Sequence, residues 1–170
     1  MFGGNPVIAH LDVVIPVLHG SNGEDGIFEG VLDTIGIPYA GCNVLASANG
    51  MDKITMKMIL GSCGVPVVPY VWFTDKQWFS QRDALIEEIE KKIGYSVIVK
   101  PANLGSSVGI GRAADRTQLI AKSTKPKIQY SPHSGTYGGQ SQGDNCSVLG
   151  DCDDYATSVC DEPNQKRRNP

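Results

Sequence analysis

Tyr95-Ser96-Val97-Ile98-Val99-Lys100-Pro101-Ala102-Asn103-Leu104-Gly105-Ser106-Ser107-Val108-Gly109-Ile110-Gly111 is the stretch whose reading decides the fold. Ser96 to Val99 is a short apolar, β-branched run and predicts a buried strand. Lys100 stands where that strand ends, because Pro101 cannot donate to a further ladder bond. Beyond it, Gly105, Ser106, Ser107 and Gly109 form a loop of little side-chain bulk. Its backbone N–H groups and two hydroxyls can close around an anion before Val108 to Ile110 resume a strand. The pattern is that of a phosphate clamp between two antiparallel strands. A plain Gly-Ser hairpin turn beside an incidental lysine is the alternative. It is not a P-loop, since no Gly-Lys-Ser/Thr precedes a helix.

Working outward, the run Leu85, Ile86, Ile89 and Ile93 predicts an amphipathic helix leading into this strand. Gly64 to Phe73 predicts an extended run, with Pro66 and Pro69 better suited to a sheet edge. Before it, Asp52 is placed to cap a helix carrying Ile54, Met58, Ile59 and Leu60, and Val44 to Met51 predicts a helical segment. Lys53 then falls in a first helical turn, where the helix dipole favours anions; a phosphate partner would account for it. Asp115 to Ile120 begins a further helix.

Nearer the N-terminus, Leu11 to Leu18 is a near-continuous apolar run, as expected of a strand covered on both faces in a parallel sheet. It gives way to His19-Gly20-Ser21-Asn22-Gly23-Glu24-Asp25-Gly26, a joint between strand and helix. Phe28, Val31, Leu32 and Ile35 follow at helical spacing, with Glu29 and Asp33 off that face, and Gly36 ends the helix. Ligands of open α/β sheets sit at the carboxyl ends of strands, which makes His19 and Glu24 site candidates. A surface turn with Asp25 capping the helix fits the same residues.

The 170 residues are 41% hydrophobic and carry a formal net charge of -3. That is enough apolar content for one domain or two small ones, and too little clustered positive charge to track nucleic acid. The one basic run is Lys166-Arg167-Arg168. No apolar stretch approaches the ~18 residues of a membrane span, and no signal-peptide pattern opens the chain, so a cytoplasmic protein is expected. Cys42, Cys63, Cys146, Cys152 and Cys160 show no C-x-x-C pairing and are expected as free thiols, with no metal-binding Cys/His cluster.

Three stretches together, His19-Gly20-x-x-Gly23-Glu24-Asp25-Gly26, Pro38-Tyr39-x-Gly41 with Met51-Asp52-Lys53, and Val99-Lys100-Pro101 with Gly105-Ser106-Ser107-Val108-Gly109, resemble the D-alanine-D-alanine ligases of the ATP-grasp superfamily. The likeness covers about residues 8 to 120. It implies an α/β ATP-grasp fold: the end of a Rossmann-like N-terminal domain over 1–42, a central nucleotide-binding subdomain over 43–122, and an incomplete, partly disordered start of a C-terminal domain over 123–170. It implies a ligase that phosphorylates one D-alanine from ATP and lets the amine of a second attack the acylphosphate, for peptidoglycan precursor synthesis. Lys53 and Lys100 would bind ATP phosphates. The loop Gly105, Ser106, Ser107, Val108 and Gly109 would cover the transferring phosphoryl group, with the Ser106 hydroxyl helping to hold the first D-alanine. His19 and Glu24 would line the substrate side. The resemblance also implies Mg²⁺ or Mn²⁺, with ligands beyond the end of this chain, and a homodimeric parent enzyme. Competing readings are a D-alanine-D-serine or D-alanine-D-lactate ligase, and a non-catalytic nucleotide-binding fragment.

The sequence departs from the family in three places. The segment that orients the first D-alanine would lie before Met1, and the metal-holding carboxylates beyond Pro170. Between Ser123 and Gly143 the family's apolar strand ending in Glu, expected near Thr136, gives way to a polar stretch read as strandless and poorly ordered. Family-like sequence returns at Asn145 to Gly150. Codons for Ser134-Gly135 and for Gln142 to Asp144, shifted by one nucleotide, can spell the family residues. So can those for the tail Pro163 to Pro170. A twice-shifted reading frame is therefore expected.

Overall fold

The computed structural model describes residues 9–105, 108–123, 127–130, 148–150 and 153–159. Contacts divide the chain into two units, Met1–Pro132 and His133–Pro170.

The first unit is built on a four-stranded antiparallel sheet in the order β1-β4-β2-β3. Its strands are β1 (Tyr70–Phe73), β2 (Val97–Lys100), β3 (Gly111–Ala113) and β4 (Lys127–Tyr130). The expected strand at the centre of the quoted stretch is there, one residue later than its apolar run, so that Lys100 is the last residue of β2. β2 and β3 form the expected antiparallel pair, although β3 starts at Gly111 rather than Val108. β1 lies at the sheet edge, as its preceding prolines require.

Alternation along the strands sorts the residues into two faces. Val71, Phe73, Val97, Val99 and Ala113 are buried against helices α4 (Asp75–Lys92) and α5 (Arg116–Lys122). Trp78, Leu85, Ile86 and Ile89 of α4 and Leu119 of α5 complete this core. Phe73 and Trp78 stack with ring centroids 5.0 Å apart. α4 starts with a capping box between Thr74 and Gln77, and α5 with Asp115, whose side chain accepts from the Gln118 N–H. On the outer ends of these helices, the Arg116 guanidinium grips the Glu90 carboxylate through two nitrogens.

β4 corrects the expectation that residues 123–143 hold no strand. Its backbone lies between β1 and β2, with Lys100 opposite Ile128 and Tyr70 opposite Tyr130. Lys127-Ile128-Gln129-Tyr130 alternates polar and apolar residues over four positions, a strand pattern easily hidden in a polar stretch. The rest of 131–143, and the tail Pro163 to Pro170, lie outside the described residues, as does the frame shift inferred there.

The N-terminal part departs further from expectation. Leu11 to Leu18 forms no strand, and among the described residues its sheet pairing is one parallel bridge, Val14 to Tyr39. Ile15 is 71% and Val17 78% exposed. A strand buried on both faces needs neighbours at both edges, and among the described residues only Ile37 to Ala40 supplies one. The three helices that follow are α1 (Ile27–Ile35), α2 (Val44–Met51) and α3 (Lys53–Ser62). α1 ends at Gly36 as expected, yet it buries Leu32 and Glu29 while Val31 and Ile35 stay exposed. Glu29, read as lying off the packed face, is on it. Likewise α3 buries Lys57 while Met58 and Ile59 are exposed. At the N-terminus of α1, Gly26 has φ 89, and a Cβ there would stand 2.6 Å from the Val44 carbonyl oxygen. Only glycine lets α1 approach α2 so closely.

In the second unit, β5 (Val148–Gly150) pairs antiparallel with β6 (Tyr155–Thr157).

The two-faced sheet sets an expected outcome. Phe73→Ala, which empties a fully buried ring site, lowers unfolding free energy in urea by ~3–5 kcal/mol. Trp72→Ala, one residue away on the opposite face, costs less than half of that. Equal losses would contradict the assignment of faces.

Candidate phosphate site on the open sheet face

Because Val97 and Val99 point toward the helices, Ile98 and Lys100 point away from them. The same parity puts Tyr70 on the open face of β1. Helix α3 brings two lysines to this face. Asp52 caps α3, its side chain accepting from the N–H groups of Ile54 and Thr55 at 3.0 and 2.7 Å. Lys53, the first helical residue, is tied to the loop after β2 twice over. Its backbone N–H donates to the Ala102 carbonyl at 3.1 Å. Its Nζ donates to the carbonyls of Ala102 at 3.2 Å and Leu104 at 2.6 Å. Lys57 lies one turn on, buried, with Nζ donating to the Val68 carbonyl at 3.3 Å and standing 4.9 Å from the Tyr70 ring centroid.

Lys53 and Lys57 each feel the charge of Lys100. Burial, and then the charge of Lys100, lowers the pKa of Lys53, with Asp52 opposing. Burial, and then Lys100, pushes Lys57 down to about 8. Like charges this close favour an anion beside them, and phosphate oxygens suit lysine as a point charge. The loop from Gly105 returns over Pro101: Val108 N–H donates to the Gly105 carbonyl at 3.0 Å, and Gly109 has φ 72 with a Cβ position 2.9 Å from Pro101 Cγ. Ser106 and Ser107 lie outside the described residues.

Of the residues singled out in the sequence, Lys53 and Lys100 are thus brought together beside the Ala102 to Leu104 loop. Lys57 was missed. The signal was present, since it follows Lys53 by four residues and so shares its helix face.

His19 and Glu24 form a second group. His19 Nδ1 is 3.9 Å from Glu24 Oε1, and both side chains are largely exposed. Glu24 Oε2 accepts from the Gly20 N–H at 2.5 Å, while Asp25 accepts from the N–H groups of Asn22 and Ile27. These bonds hold the loop in shape without any ligand. Glu24 also lines a cavity of about 440 Å³ that reaches Met51, two residues before Lys53. Cys42 and Cys63 are free, exposed thiols, and Cys146, Cys152 and Cys160 lie outside the described residues. No helix among the described residues is long and apolar enough to cross a membrane.

An antiparallel sheet with helices on one face and a lysine group with a glycine loop on the other defines an ATP-grasp fold, carrying the end of a Rossmann-like domain before it and an incomplete domain after it. The family models described as "D-ala D-ala ligase N-terminus" and "D-ala D-ala ligase C-terminus" match residues 2–42 and 59–132. The chain belongs to the D-alanine-D-alanine ligase family. The match runs through β4, beyond the point where the sequence was read as departing from the family. The D-alanine–D-alanine ligase of Acetivibrio thermocellus is 50% identical over 109 residues, 64% of this chain and 29% of that protein. That of Heliobacterium modesticaldum is 49% identical over 111 residues, 65% of this chain and 30% of that one. The chain therefore spans under a third of the length of these curated relatives. Among solved structures, the VanG D-Ala:D-Ser ligase from Enterococcus faecalis superposes with a TM-score of 0.77 at 31% identity, over 92% of this chain and 44% of that one. The D-alanine-D-alanine ligase from Helicobacter pylori shares the fold at a TM-score of 0.73 and 24% identity, over 93% of this chain and 49% of that one.

Lys57 sets a pH dependence. Below about pH 8 its ammonium is charged in both folded and unfolded chains, and its burial cost is borne in full. Between about 8 and the ordinary 10.5 the folded chain loses the proton first, so stability rises with pH. Urea midpoints of the protein at roughly pH 7 and pH 9.5 should show this rise, and Lys57→Met should remove part of it. The same change in both proteins would rule Lys57 out as its source.

Proposed function

We propose that the protein is the nucleotide-holding part of an ATP-dependent ligase that joins two D-alanines for peptidoglycan precursors. The observation that carries this reading is Lys53 held on the loop after β2, near enough to Lys100, the last residue of β2, to feel its charge. In the reaction implied by the family, a carboxylate oxygen of the first D-alanine attacks the γ-phosphorus of ATP. The bond to the ADP oxygen breaks, and an acylphosphate results. The amine of the second D-alanine then attacks the acyl carbon, losing a proton, and phosphate leaves as the peptide bond forms. Chemistry of this kind rests on positioning and on charge neutralisation. Lys53 and Lys100 would take the phosphate charge, and Gly105, Ser106, Ser107, Val108 and Gly109 would cover it. His19 and Glu24 would line the D-alanine side, with the Ser106 hydroxyl holding the first D-alanine.

The residues present fit ATP phosphates better than the metal the family uses. Among the described residues no group of three or more His, Cys, Asp or Glu could hold an ion. A Mg²⁺ or Mn²⁺ ion would supply further neutralisation of phosphate charge, and its ligands would lie outside these residues; the described residues would hold the nucleotide. The remaining features of the proposal are the layout of 1–42, 43–122 and 123–170, a cytoplasmic location, a homodimeric parent and no nucleic-acid partner. A D-alanine-D-serine ligase is the second reading, favoured by the likeness to VanG.

Titration calorimetry with a non-hydrolysable ATP analogue tests the nucleotide reading. Lys100→Ala removes one charge-assisted bond and should weaken binding by about 10- to 100-fold, corresponding to ~1.5–3 kcal/mol. Unaltered affinity would remove Lys100 from the site.

A further inference from the structure

Lys57 carries a charge that the proposed function does not use. Its side chain lies on α3 and the residue is only 8% exposed. Burying an ammonium is costly, and an apolar side chain of similar length would fill the same place without that cost. The contacts it makes there are specific. Nζ donates to the Val68 carbonyl at 3.3 Å and stands 4.9 Å from the Tyr70 ring centroid. Val68 precedes β1 and Tyr70 begins it, so both contacts tie the middle of α3 to the sheet. Lys53 sits one turn earlier on the same helix, held on the loop after β2. The contacts of Lys57 therefore help to set how α3 presents Lys53 beside Lys100.

The charged and titratable groups around Lys57 come from three elements. β2 supplies Lys100, whose charge acts on both Lys53 and Lys57. β1 supplies Tyr70, whose ring face attracts an ammonium more than a neutral amine. α3 itself supplies Lys53, with its cap Asp52 beside it. Burial, and then Lys100, favours loss of the Lys57 proton and holds its pKa down at about 8. A phosphate beside Lys53 and Lys100 opposes the second of these, because negative charge close by favours the ammonium. Coupling of this kind is reciprocal: if phosphate strengthens the hold on the proton, the proton strengthens the hold on phosphate.

We propose that Lys57 is a positioning residue for the nucleotide, acting through Lys100, and that it makes nucleotide binding take up a proton in mildly alkaline solution. The inference rests on the nucleotide reading of Lys53 and Lys100. Buried as it is, Lys57 does not have to touch the phosphate.

Calorimetry with the non-hydrolysable ATP analogue, run in buffers of different ionisation enthalpy, counts the protons taken up. The unaltered protein should take up roughly half a proton or more at about pH 9 and close to none at about pH 7, with affinity about 3- to 30-fold weaker at pH 9.5 than at pH 7. Lys57→Met should bind more weakly at pH 7 and lose most of the uptake at pH 9. Lys57→Arg, which stays charged throughout, should restore the affinity at pH 7 while still lacking the uptake. A lysine with a structural role alone would leave the proton count unchanged in both variants. Equal uptake by Lys57→Arg and the unaltered protein would overturn the proposal. So would nucleotide binding by the unaltered protein without uptake at pH 9, a result that needs neither variant to fold. Absence of nucleotide binding at pH 7 would remove the ligase reading and this inference together. Weakened binding by Lys100→Ala, with the same proton count in Lys57→Arg as in the unaltered protein, would remove this inference alone.

Discussion

β2 works because Val97 and Val99 bury completely against α4 and α5, and a strand cannot turn one side chain in without turning the next one out. Lys100 is therefore held on the open face by the packing of its neighbours. The same rule at β1 sets Phe73 into the core and Tyr70 outward, where its ring stands under Lys57. A one-residue slip of β2 would bury Lys100 and expose Val97 and Val99, so the register that stabilises the core also fixes the geometry of the candidate phosphate face.

The second constraint is the short joint between α2 and α3. Met51 faces the cavity beside the His19 to Gly26 loop, Asp52 caps α3, and Lys53 reaches the carbonyls of Ala102 and Leu104. Within three residues the chain passes from the candidate substrate side to the candidate nucleotide side. The hydrogen bonds of Lys53 also clasp the N-terminal helices to the loop after β2, so an anion that drew Nζ away would loosen that clasp. The repulsion of Lys53 and of Lys57 by Lys100 is tolerated because burial elsewhere outweighs it, and it makes anion binding more favourable.

Much of this was legible in the sequence, for identifiable reasons. The β2 strand, the Asp52 cap and the apolar stripe of α4 follow from local patterns strong enough to survive tertiary context. β4 did not show, because four alternating residues inside a polar stretch gain their strand character from the exposed edges of β1 and β2. Leu11 to Leu18 read as a doubly covered strand because its apolar run is that of one, yet the described residues supply a single neighbour. Glu29 and Lys57 were missed alike: charged residues on helices are presumed exposed, and only the packing of α1 and α3 buries them. Lys53 and Lys100 were singled out in the sequence, and the structure sets Lys53 on the loop after β2 within reach of the charge of Lys100; their phosphate role belongs to the proposal. The roles of Ser106 and Ser107 belong to the proposal alone.

The account stands on Lys53, Lys57 and Lys100 lying near one another on one side of the sheet, where a phosphate would meet them. Its most direct test is NMR titration of the lysine Cε resonances with and without ATP. Bound phosphate should raise the Lys57 pKa from about 8 toward the ordinary 10.5 and also raise that of Lys53, because a nearby negative charge favours the ammonium form. Values for both lysines that stay unchanged at saturating nucleotide would contradict it.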